Sequence, residues 1–234
     1  MALTEKLLKI AGKEGYTLDP RISKRYVASL CWKYGFMLIR GWLFSMGHSS
    51  IDRTIFVGRG VKALEKRYLS VATKTKIHDK VYIDALSTDG VRIGCNVVLG
   101  RNTRIECTGS LKSIGKGIKI GDRSTFGSDC YFGAAGGIVI GCDVVGGQYI
   151  RFHSENHNFD HLDELIRNQG VSHKGIKVGN NCWIGAGAVF LDGAELGDGC
   201  VVAANAVVTK QFPANSIVGG VPAKVLRERG KPHG

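Results

Sequence analysis

Three histidines in one polar segment are the residues best suited to chemistry in this chain. His153, His157 and His161 follow one another at intervals of four. A neutral imidazole can take a proton from a substrate hydroxyl, so one of them can serve as a general base. From the spacing alone, a bound metal ion and simple solvation stay open as alternatives. We predict no metal site, because Asn156 and Asn158 favour a loop over a helix that would align the three rings.

The histidine segment, residues 153–175, interrupts a repeat of six residues that predicts the fold. Apolar residues stand six apart over positions 178–208, and a small residue follows each of the first five after four positions. The apolar set is Val178, Ile184, Phe190, Leu196, Val202 and Val208, and the small set is Cys182, Ala188, Ala194, Cys200 and Ala206. Neither a helix nor a strand has this period. A triangular parallel β-helix does, since each flat face takes about six residues.

The same register recurs upstream, so the predicted solenoid fills most of the chain. The further runs are Ile114, Ile120, Phe126, Phe132 and Ile138; Ile93, Leu99 and Ile105; Val71, Ile77 and Ile83; and Ile51, Val57 and Ala63. Offsets between the runs predict loops at 87–90 and 108–112. With three hexads in each coil, roughly 160 residues give about nine coils. We predict a helical segment at 1–50, an all-β solenoid at 51–220 with its loop at 153–175, and a tail at 221–234.

The amino-acid composition agrees with a solenoid and limits the cellular location and the classes of partner that we expect. The chain has 33 glycines, which suit tight corners, and only 4 prolines, too few for collagen. Its 7 cysteines include no Cys-x-x-Cys pair, so we expect reduced, structural thiols in a cytoplasmic protein. The net charge is +12. Without a recognition helix, an aromatic platform or a single basic run, we expect no nucleic acid partner, and anionic sugars, lipid headgroups or coenzyme phosphates are better candidates.

The amino-terminal segment predicts helices rather than a leader. It lacks the long apolar core of a signal peptide, and a short polar helix is predicted at 4–11. Positions 26–44 are rich in Trp, Phe, Leu and Ile, but Lys33 and Arg40 interrupt them, so a membrane-spanning helix is not expected. Two roles stay open for this helix. One is peripheral contact of residues 21–45 with the inner face of a membrane, and the other is a cap on the open end of the solenoid.

Four motifs in the carboxyl-terminal half resemble the hexapeptide-repeat acyltransferases, in particular the galactoside, maltose and capsular-polysaccharide O-acetyltransferase branch. The motifs are Ser-Glu-Asn-His-Asn-Phe-Asp from residue 154, Asn-Cys-Trp-Ile-Gly-Ala-Gly-Ala from 181, Ala-Asn-Ala-Val-Val-Thr-Lys from 204, and Val-Gly-Gly-Val-Pro-Ala-Lys-Val-Leu-Arg from 218. The resemblance is strong over positions 138–227 and does not include residues 1–45. It implies a left-handed parallel β-helix, a homotrimer with active sites between subunits, and acetyl-CoA as the acyl donor.

The resemblance also implies roles for individual residues. His157 matches the family's catalytic histidine, which accepts a proton from the acceptor hydroxyl. The positions that match acetyl-CoA contacts are Trp183, Gly185, Ala186, Ala204, Thr209, Lys210 and Arg227. Several relatives carry an acceptor-binding Asn where this chain has Gly127, so the expected acceptor contacts are the adjacent Ser128 and Asp129 together with Asn156. This departure leaves the identity of the acceptor open.

The function implied by the resemblance is acetyl transfer from acetyl-CoA to a carbohydrate hydroxyl, on a surface polysaccharide or its sugar precursor. Two alternatives stay open. One is N-acetylation of an amino-sugar nucleotide or an antibiotic, which a histidine base serves equally well. The other is a β-helix scaffold or binding protein without catalysis. A scaffold would not need the loop of His157, Trp183, the Thr209–Lys210 pair and the Pro-Ala-Lys tail at 222–224 together, so we expect an enzyme.

Overall fold

The computed structural model describes residues 19–110 and 112–231, and short strands coil through most of that range. The helix predicted at 4–11 lies outside the described residues. The first coil is β1 (Phe56–Val57), β2 (Lys62–Leu64) and β3 (Leu69–Val71), and the second is β4 (Lys76–Ile77), β5 (Tyr82–Asp84) and β6 (Val91–Ile93). The third is β7 (Val98–Leu99), β8 (Arg104–Glu106) and β9 (Ile118–Ile120), and the fourth is β10 (Thr125–Phe126), β11 (Tyr131–Gly133) and β12 (Ile138–Ile140).

The later coils hold the motifs singled out in the sequence. The fifth is β13 (Val145–Gly146), β14 (Arg151–His153), a hairpin of β15 (Asn156–His157) and β16 (Val171–Ser172), and β17 (Ile176–Val178). The sixth is β18 (Trp183–Ile184), β19 (Val189–Leu191) and β20 (Glu195–Leu196), and the seventh is β21 (Val201–Val202), β22 (Val207–Val208) and β23 (Gln211–Phe212). An eighth begins with β24 (Ser216–Gly219), on which β25 (Lys224–Glu228) folds back antiparallel.

The strands assemble into three parallel sheets, one for each face of a triangular prism. Sheet 1 contains the first strand of every coil with β24 and β25, sheet 2 contains the second strands, and sheet 3 contains the third strands. Short 3₁₀ turns at Lys66–Tyr68 and Ile166–Asn168 lie outside the sheets. The parallel β-helix predicted from the six-residue repeat is therefore confirmed.

The core consists of the residues that the repeat places inside. Each apolar residue of the 178–208 run is at most 3% exposed, and the small residues four positions later are equally buried. Three phenylalanines stack in consecutive coils, since the ring of Phe152 lies 5.0 Å from that of Phe132 and 4.7 Å from that of Phe190. Phe126, in the same coil as Phe132, meets it edge-on. Such ring pairs add stability beyond the area that they bury.

Two details of the predicted repeat are wrong. The described residues form seven complete coils rather than nine, because excursions at 85–90, 107–117 and 154–175 take up chain between strands. Ile114, which we expected in the core, is 54% exposed because it lies in the second of these excursions. The loops predicted at 87–90 and 108–112 do fall within excursions, although Leu111 is outside the described residues.

One long helix, α1 (Lys24–Ser45), packs on the first coil. It starts at Ser23, whose hydroxyl accepts a hydrogen bond from the backbone of Tyr26. Gly41 faces the coil so closely that a Cβ there would lie 1.9 Å from the carbonyl oxygen of Ile55. Arg40 Nε donates to the carbonyl of Val57 at 2.8 Å. Across residues 19–110 and 112–231, no helix combines the length and the apolar character needed to cross a bilayer.

Candidate active site

The loop that carries His157 leaves the β-helix at the edge between sheets 2 and 3. It follows β14 of sheet 2 and returns at β17 of sheet 3. Its two short strands pair antiparallel, with Asn156 opposite Ser172 and His157 opposite Val171. His157 is exposed, as are most residues around it. The loop therefore projects the imidazole from the solenoid into a position where a second molecule can reach it.

The side chain of Gln169 holds the tip of this loop together. Its Nε2 donates to the carbonyls of His161 and Glu164, both at 2.7 Å, and its Oε1 accepts from the backbone of His161 at 3.1 Å. The backbone carbonyl of Gln169 accepts from Asn158 Nδ2 at 3.0 Å. Asn158, next to His157, is thus fixed to the segment that precedes β16, which orders the part of the loop that presents the imidazole.

The base of the loop is closed by residues that the sequence analysis did not single out. His173 Nε2 lies 2.8 Å from Glu155 Oε2. Asp192, which is 6% exposed, accepts hydrogen bonds from the backbone of Lys174 at 2.9 Å and of Gly175 at 2.7 Å. The Ser154 hydroxyl donates to the carbonyl of Gly133 at 2.8 Å. Both ends of the loop are therefore anchored on the solenoid, as a rigid active-site scaffold requires.

A second histidine, His153, lies beneath the loop on sheet 2 and differs in character from His157. Its ring centre is 5.4 Å from that of Tyr131, whose hydroxyl donates to Glu106 Oε2 at 3.0 Å. Burial lowers the pKa of His153, and Arg151 lowers it further. Burial, followed by Glu106, raises the pKa of Tyr131 to about 12. The pair thus stays neutral near pH 7, which suits a packed support for the loop.

The edge between sheets 1 and 2 brings three predicted site residues into one column. The backbone N–H of Tyr149 donates to the carbonyl of Ser128 in the coil before it. In the next two coils, the N–H of Gly187 donates to the carbonyl of Gln148, and the N–H of Asn205 donates to the carbonyl of Ala186. Ser128, Ala186 and Ala204 therefore belong to the same edge. Because stacked coils lie about 4.8 Å apart, Ala186 is about 10 Å from the coil of Ser128. Asp129 is in the same turn as Ser128, and its carboxylate accepts from Asn102 Nδ2 at 2.9 Å.

This column exposes backbone donors at the positions expected to meet a cofactor. In the described chain, the N–H groups of Ala186 and Ala204 make no hydrogen bond, whereas the N–H of Gly185 is already bonded to the carbonyl of Val202 at 2.8 Å. Ala204 is exposed and Ala186 is partly exposed. Free amides beside small side chains can bind the amides of an extended ligand or a developing oxyanion. The geometry points to Ala186, and not Gly185, as the available donor.

The other predicted cofactor residues lie on two further parts of the surface. Trp183 is 59% exposed on the outer face of sheet 1, between Val145 and Val201. Arg227 is on β25 opposite Ile217, and its Nη1 donates to the carbonyl of Lys231 at 3.2 Å. Thr209 and Lys210 are exposed between β22 and β23, at the same edge as the histidine loop.

Comparison with known proteins identifies the repeat. Residues 175–210 match the family model described as bacterial transferase hexapeptide (six repeats). A "probable acetyltransferase" of Mycobacterium tuberculosis is 30% identical over 226 residues, which is 90% of this chain and 66% of that protein. The chain contains hexapeptide repeats and is similar to acetyltransferases. Thr209, Lys210, Ala186, Ala204 and Trp183 all fall within the matched repeats.

Two more relatives set the limits of the likeness. A Staphylococcus aureus protein described as an acetyltransferase is 37% identical over 116 residues, 49% of this chain and 56% of its own length. The chain thus spans less than two thirds of the curated relatives that it matches. A hexapeptide-repeat acetyltransferase of Vibrio cholerae, solved in complex with acetyl-CoA, is 28% identical with a TM-score of 0.52, covering 60% of this chain and 72% of its own. The architecture is that of these relatives, a left-handed parallel β-helix.

In a single copy of this hexapeptide-repeat protein, the predicted site is divided between two edges. His157, Thr209 and Lys210 are at the edge between sheets 2 and 3, whereas Ala186, Ala204 and Ser128 are at the edge between sheets 1 and 2. Within the described ranges, no hydrogen bond or ion pair joins His157 to any of the predicted cofactor residues. One copy therefore presents two half-sites on different edges of the prism.

In the part of the chain that the structure describes, no three His, Cys, Asp or Glu side chains converge as metal ligands would. Burial raises the pKa of the Cys107 thiol to about 12 and that of Cys130 to about 11. A nucleophilic cysteine needs a lowered thiol pKa, so these two are structural.

Proposed function

We propose that this protein is an acetyl-CoA-dependent acetyltransferase that acts on a carbohydrate hydroxyl, with His157 as the general base. The observation that carries the proposal is the exposed His157 on a braced loop, in a chain similar to an acetyltransferase solved with acetyl-CoA. The donor site would be the edge with the free amides of Ala186 and Ala204. Trp183 would flank the thioester arm, and Thr209, Lys210 and Arg227 would meet the adenine and phosphate groups.

The division of the site supports a homotrimer in which two copies complete each active site. The loop edge of one copy would face the amide edge of its neighbour. His157 would then reach a thioester that lies along Ala186 and Ala204 of the other copy. Oligomers with cyclic symmetry repeat such a contact at every interface, so three copies would give three equivalent sites.

In the proposed reaction, His157 accepts the proton of the acceptor hydroxyl while that oxygen attacks the thioester carbonyl. The N–H of Ala186 stabilises the negative charge that develops on the carbonyl oxygen. The carbon–sulfur bond then breaks, and the imidazolium returns its proton to the departing thiolate. The products are the acetyl ester and free coenzyme A, with no acyl-enzyme. Ser128 and Asn156 would contact the acceptor, and Asp129 would orient it together with Asn102.

An amine acceptor is the alternative substrate class, and a scaffold is the alternative without catalysis. A histidine base serves an amine as well as a hydroxyl, so the N-acetylation of an amino-sugar nucleotide or an antibiotic stays as a second candidate. The bracing of the loop by Gln169 and Asn158 favours catalysis over a scaffold, since a scaffold has no need of an ordered, exposed imidazole.

The test is release of the coenzyme A thiol from acetyl-CoA with pooled sugars and nucleotide sugars as acceptors. Wild type is compared with His157→Ala and with His161→Ala, an exposed loop histidine bonded only through its backbone. We expect His157→Ala to lose about 10²–10⁴-fold in turnover while it keeps its affinity for acetyl-CoA. His161→Ala should stay close to wild type. Equal turnover of all three proteins would remove the base assignment, and absence of acetyl-CoA binding in wild type would favour the scaffold.

We also propose that helix α1 rests on the inner, anionic face of a membrane, which would place this cytoplasmic enzyme beside a lipid-linked acceptor. The helix contains no acidic residue. Trp32 is 70% exposed and stacks with Phe36. Lys33 directly follows Trp32, and Lys24 and Arg25 are exposed in the first turn of the helix. Exposed aromatic rings beside cations are typical of helices that lie in the membrane interface.

Sedimentation with vesicles of phosphatidylglycerol and phosphatidylcholine tests this contact. Trp32→Glu/Phe36→Glu should abolish binding, whereas the control Leu64→Glu, an exposed apolar residue on sheet 2, should not. Point variants are preferable to deletion, since Met37 and Gly41 pack on the first coil. Unchanged vesicle binding would contradict the proposal. If wild type does not bind vesicles and Trp32→Glu/Phe36→Glu forms a smaller oligomer than wild type, the surface contacts another copy instead.

A further inference from the structure

A groove on sheet 3, beside the histidine loop, is lined by glycines, apolar residues and five cations, and the cations far outnumber the acidic residues. Its walls carry Arg92, Lys116, Lys119, Lys174 and Lys177, and its volume is about 260 Å³. Asp89 is the single carboxylate among the lining residues. None of these side chains belongs to the site described above, although Lys174 lies at the end of the loop and its backbone helps to anchor it.

The register of the sheet aligns these cations along the axis of the solenoid. Arg92 on β6 pairs with Lys119 on β9, and the ladder continues through Val139 to Lys177 on β17. All four residues point outward between buried neighbours. Coils lie about 4.8 Å apart, so the charges recur over about 15 Å. An extended ligand with several negative groups matches this spacing better than a single small anion.

The floor of the groove is a row of glycines, which the close stacking of the coils requires. Gly90, Gly117, Gly137 and Gly175 occupy the same corner of successive coils, and each has a positive φ between 78° and 116°. A Cβ on Gly117 would lie 2.4 Å from the carbonyl oxygen of Gly90. The stems of Lys116 and Lys174 lie over Gly137 and Gly193 of the adjacent coils. Backbone without side chains permits close approach of a ligand.

Little in the protein neutralises the groove. Lys177 contacts Glu195 at 3.5 Å, an exposed pair of small energetic weight. Arg92 Nε donates to the backbone carbonyl of Asp89 at 3.1 Å, which orients the guanidinium without cancelling its charge. Lys116, Lys119 and Lys174 form no ion pair within the described chain. Like charges held side by side raise the local potential and attract anions.

We propose that this groove binds an extended polyanion, the charged part of the acceptor. That the polyanion belongs to the acceptor rests on the proposed function; the binding itself does not. The carboxylates of an acidic glycan can follow the whole ladder of charges, whereas the diphosphate of a nucleotide sugar would meet part of it while the rest of the molecule extends along the groove. Because the groove adjoins the end of the loop at Lys174, a bound polyanion would hold the neutral hydroxyl-bearing part near the same edge as His157.

Titration calorimetry with two probes, hexagalacturonate and inorganic pyrophosphate, tests the proposal and distinguishes the two sources. Maltohexaose is the neutral control. Lys119→Glu/Lys177→Glu should weaken the binding of the preferred probe by at least about tenfold, and the affinity should fall as salt is added. The matched control is Lys62→Glu/Lys80→Glu, which makes the same change of charge at exposed sites outside the groove.

Each outcome decides for or against the groove. Stronger binding of hexagalacturonate assigns an acidic glycan, and stronger binding of pyrophosphate assigns a nucleotide sugar. Equal weakening in both double variants, or no binding of either probe, would overturn the proposal. A change of oligomer mass in Lys119→Glu/Lys177→Glu would instead assign the groove to contact with another copy, and would also overturn it. If the groove binds a probe but no assay detects acetyl transfer, the proposed function is wrong and the proposal of a polyanion site is still supported.

Discussion

The side chains of Glu155 and His173 meet across the base of the loop, with His173 Nε2 at 2.8 Å from Glu155 Oε2. Glu155 immediately precedes β15 and His173 immediately follows β16, so this contact closes the hairpin that presents His157. Each side chain is about one third exposed, at 35% for Glu155 and 33% for His173. The contact therefore positions the loop and is still accessible to solvent.

The first prediction concerns this contact. Glu155→Gln and His173→Gln keep the size of the side chains but weaken the interaction, so His157 should be held less firmly. A displacement of about 1 Å in a catalytic group can cost 10²-fold, and we expect a loss of about tenfold to a hundredfold in kcat. Affinity for acetyl-CoA should not change, since neither Glu155 nor His173 is among the residues predicted to bind it. The measurements are kcat, the Kd of acetyl-CoA, and hydrogen exchange over residues 156–172.

A double variant provides the control for this prediction. If the two residues act through one contact, Glu155→Gln/His173→Gln should be no slower than the worse single variant. Additive losses would show that each residue has a separate role. Unchanged exchange in the loop together with lost turnover would indicate direct contact with substrate instead of positioning.

The second prediction concerns the pH dependence of stability. Burial lowers the pKa of His78 and of His153, with further lowering by Lys33 and Arg151 respectively. At pH values between the histidine pKa in the folded protein and the ordinary pKa of 6.5, the unfolded chain binds more protons than the folded one. Stability therefore rises with pH through this window and is complete above it. We expect the urea midpoint to rise from about pH 5 to about pH 7, and His78→Gln/His153→Gln to flatten that rise.

A matched variant at an exposed histidine checks the attribution. His161→Gln removes a histidine whose side chain is in solvent, so its urea midpoints should follow those of wild type at both pH values. If His78→Gln/His153→Gln retains the full rise with pH, other groups carry it and the prediction is wrong.

The fold could be predicted from the sequence because the inward side chains obey a short local period. A residue such as Phe190 or Leu196 is buried because of its place in a hexad, whatever distant segment packs against it. The number of coils was less predictable. Excursions such as the one with Ile114 preserve an apolar spacing but leave the solenoid, and one sequence does not distinguish the two cases.

Only those residues of the candidate site that lie within a recognisable sequence motif could be predicted. Glu155 and His173 are 18 positions apart, and only the pairing of β15 with β16 brings them together. The division of the site also had no local signal, since it depends on which edge each turn occupies. The N–H of Gly185 is hydrogen-bonded and that of Ala186 is free because of the register between neighbouring coils, and the hexads alone do not predict this register.

The third prediction concerns Gly147, which lies in the coil directly before Ala186. A Cβ on Gly147 would be 2.7 Å from the nitrogen of Ala186 and 2.8 Å from its Cα. Because both contacts are backbone, Gly147→Ala must displace the turn that carries the free amide. We expect weaker acetyl-CoA binding, by about tenfold, and slower turnover. The control is Gly109→Ala, where an added Cβ meets nothing within 4 Å. Equal Kd values for both variants would separate the Ala186 turn from cofactor binding.

The last prediction compares two buried threonines. Thr103 Oγ1 has no hydrogen-bond partner among the described residues, whereas Thr75 Oγ1 donates to the carbonyl of Gly94 at 2.7 Å and accepts from the backbone of Val97 at 3.2 Å. Both side chains are fully buried. An unpaired buried hydroxyl costs free energy, so Thr103→Val should leave the free energy of unfolding unchanged or raise it. Thr75→Val keeps the shape of the side chain but leaves the carbonyl of Gly94 and the N–H of Val97 without this partner. It should lower the free energy of unfolding by about 1–3 kcal/mol. Urea denaturation of both variants against wild type measures the difference, and a larger loss in Thr103→Val than in Thr75→Val would show that the Thr103 hydroxyl is satisfied in solution.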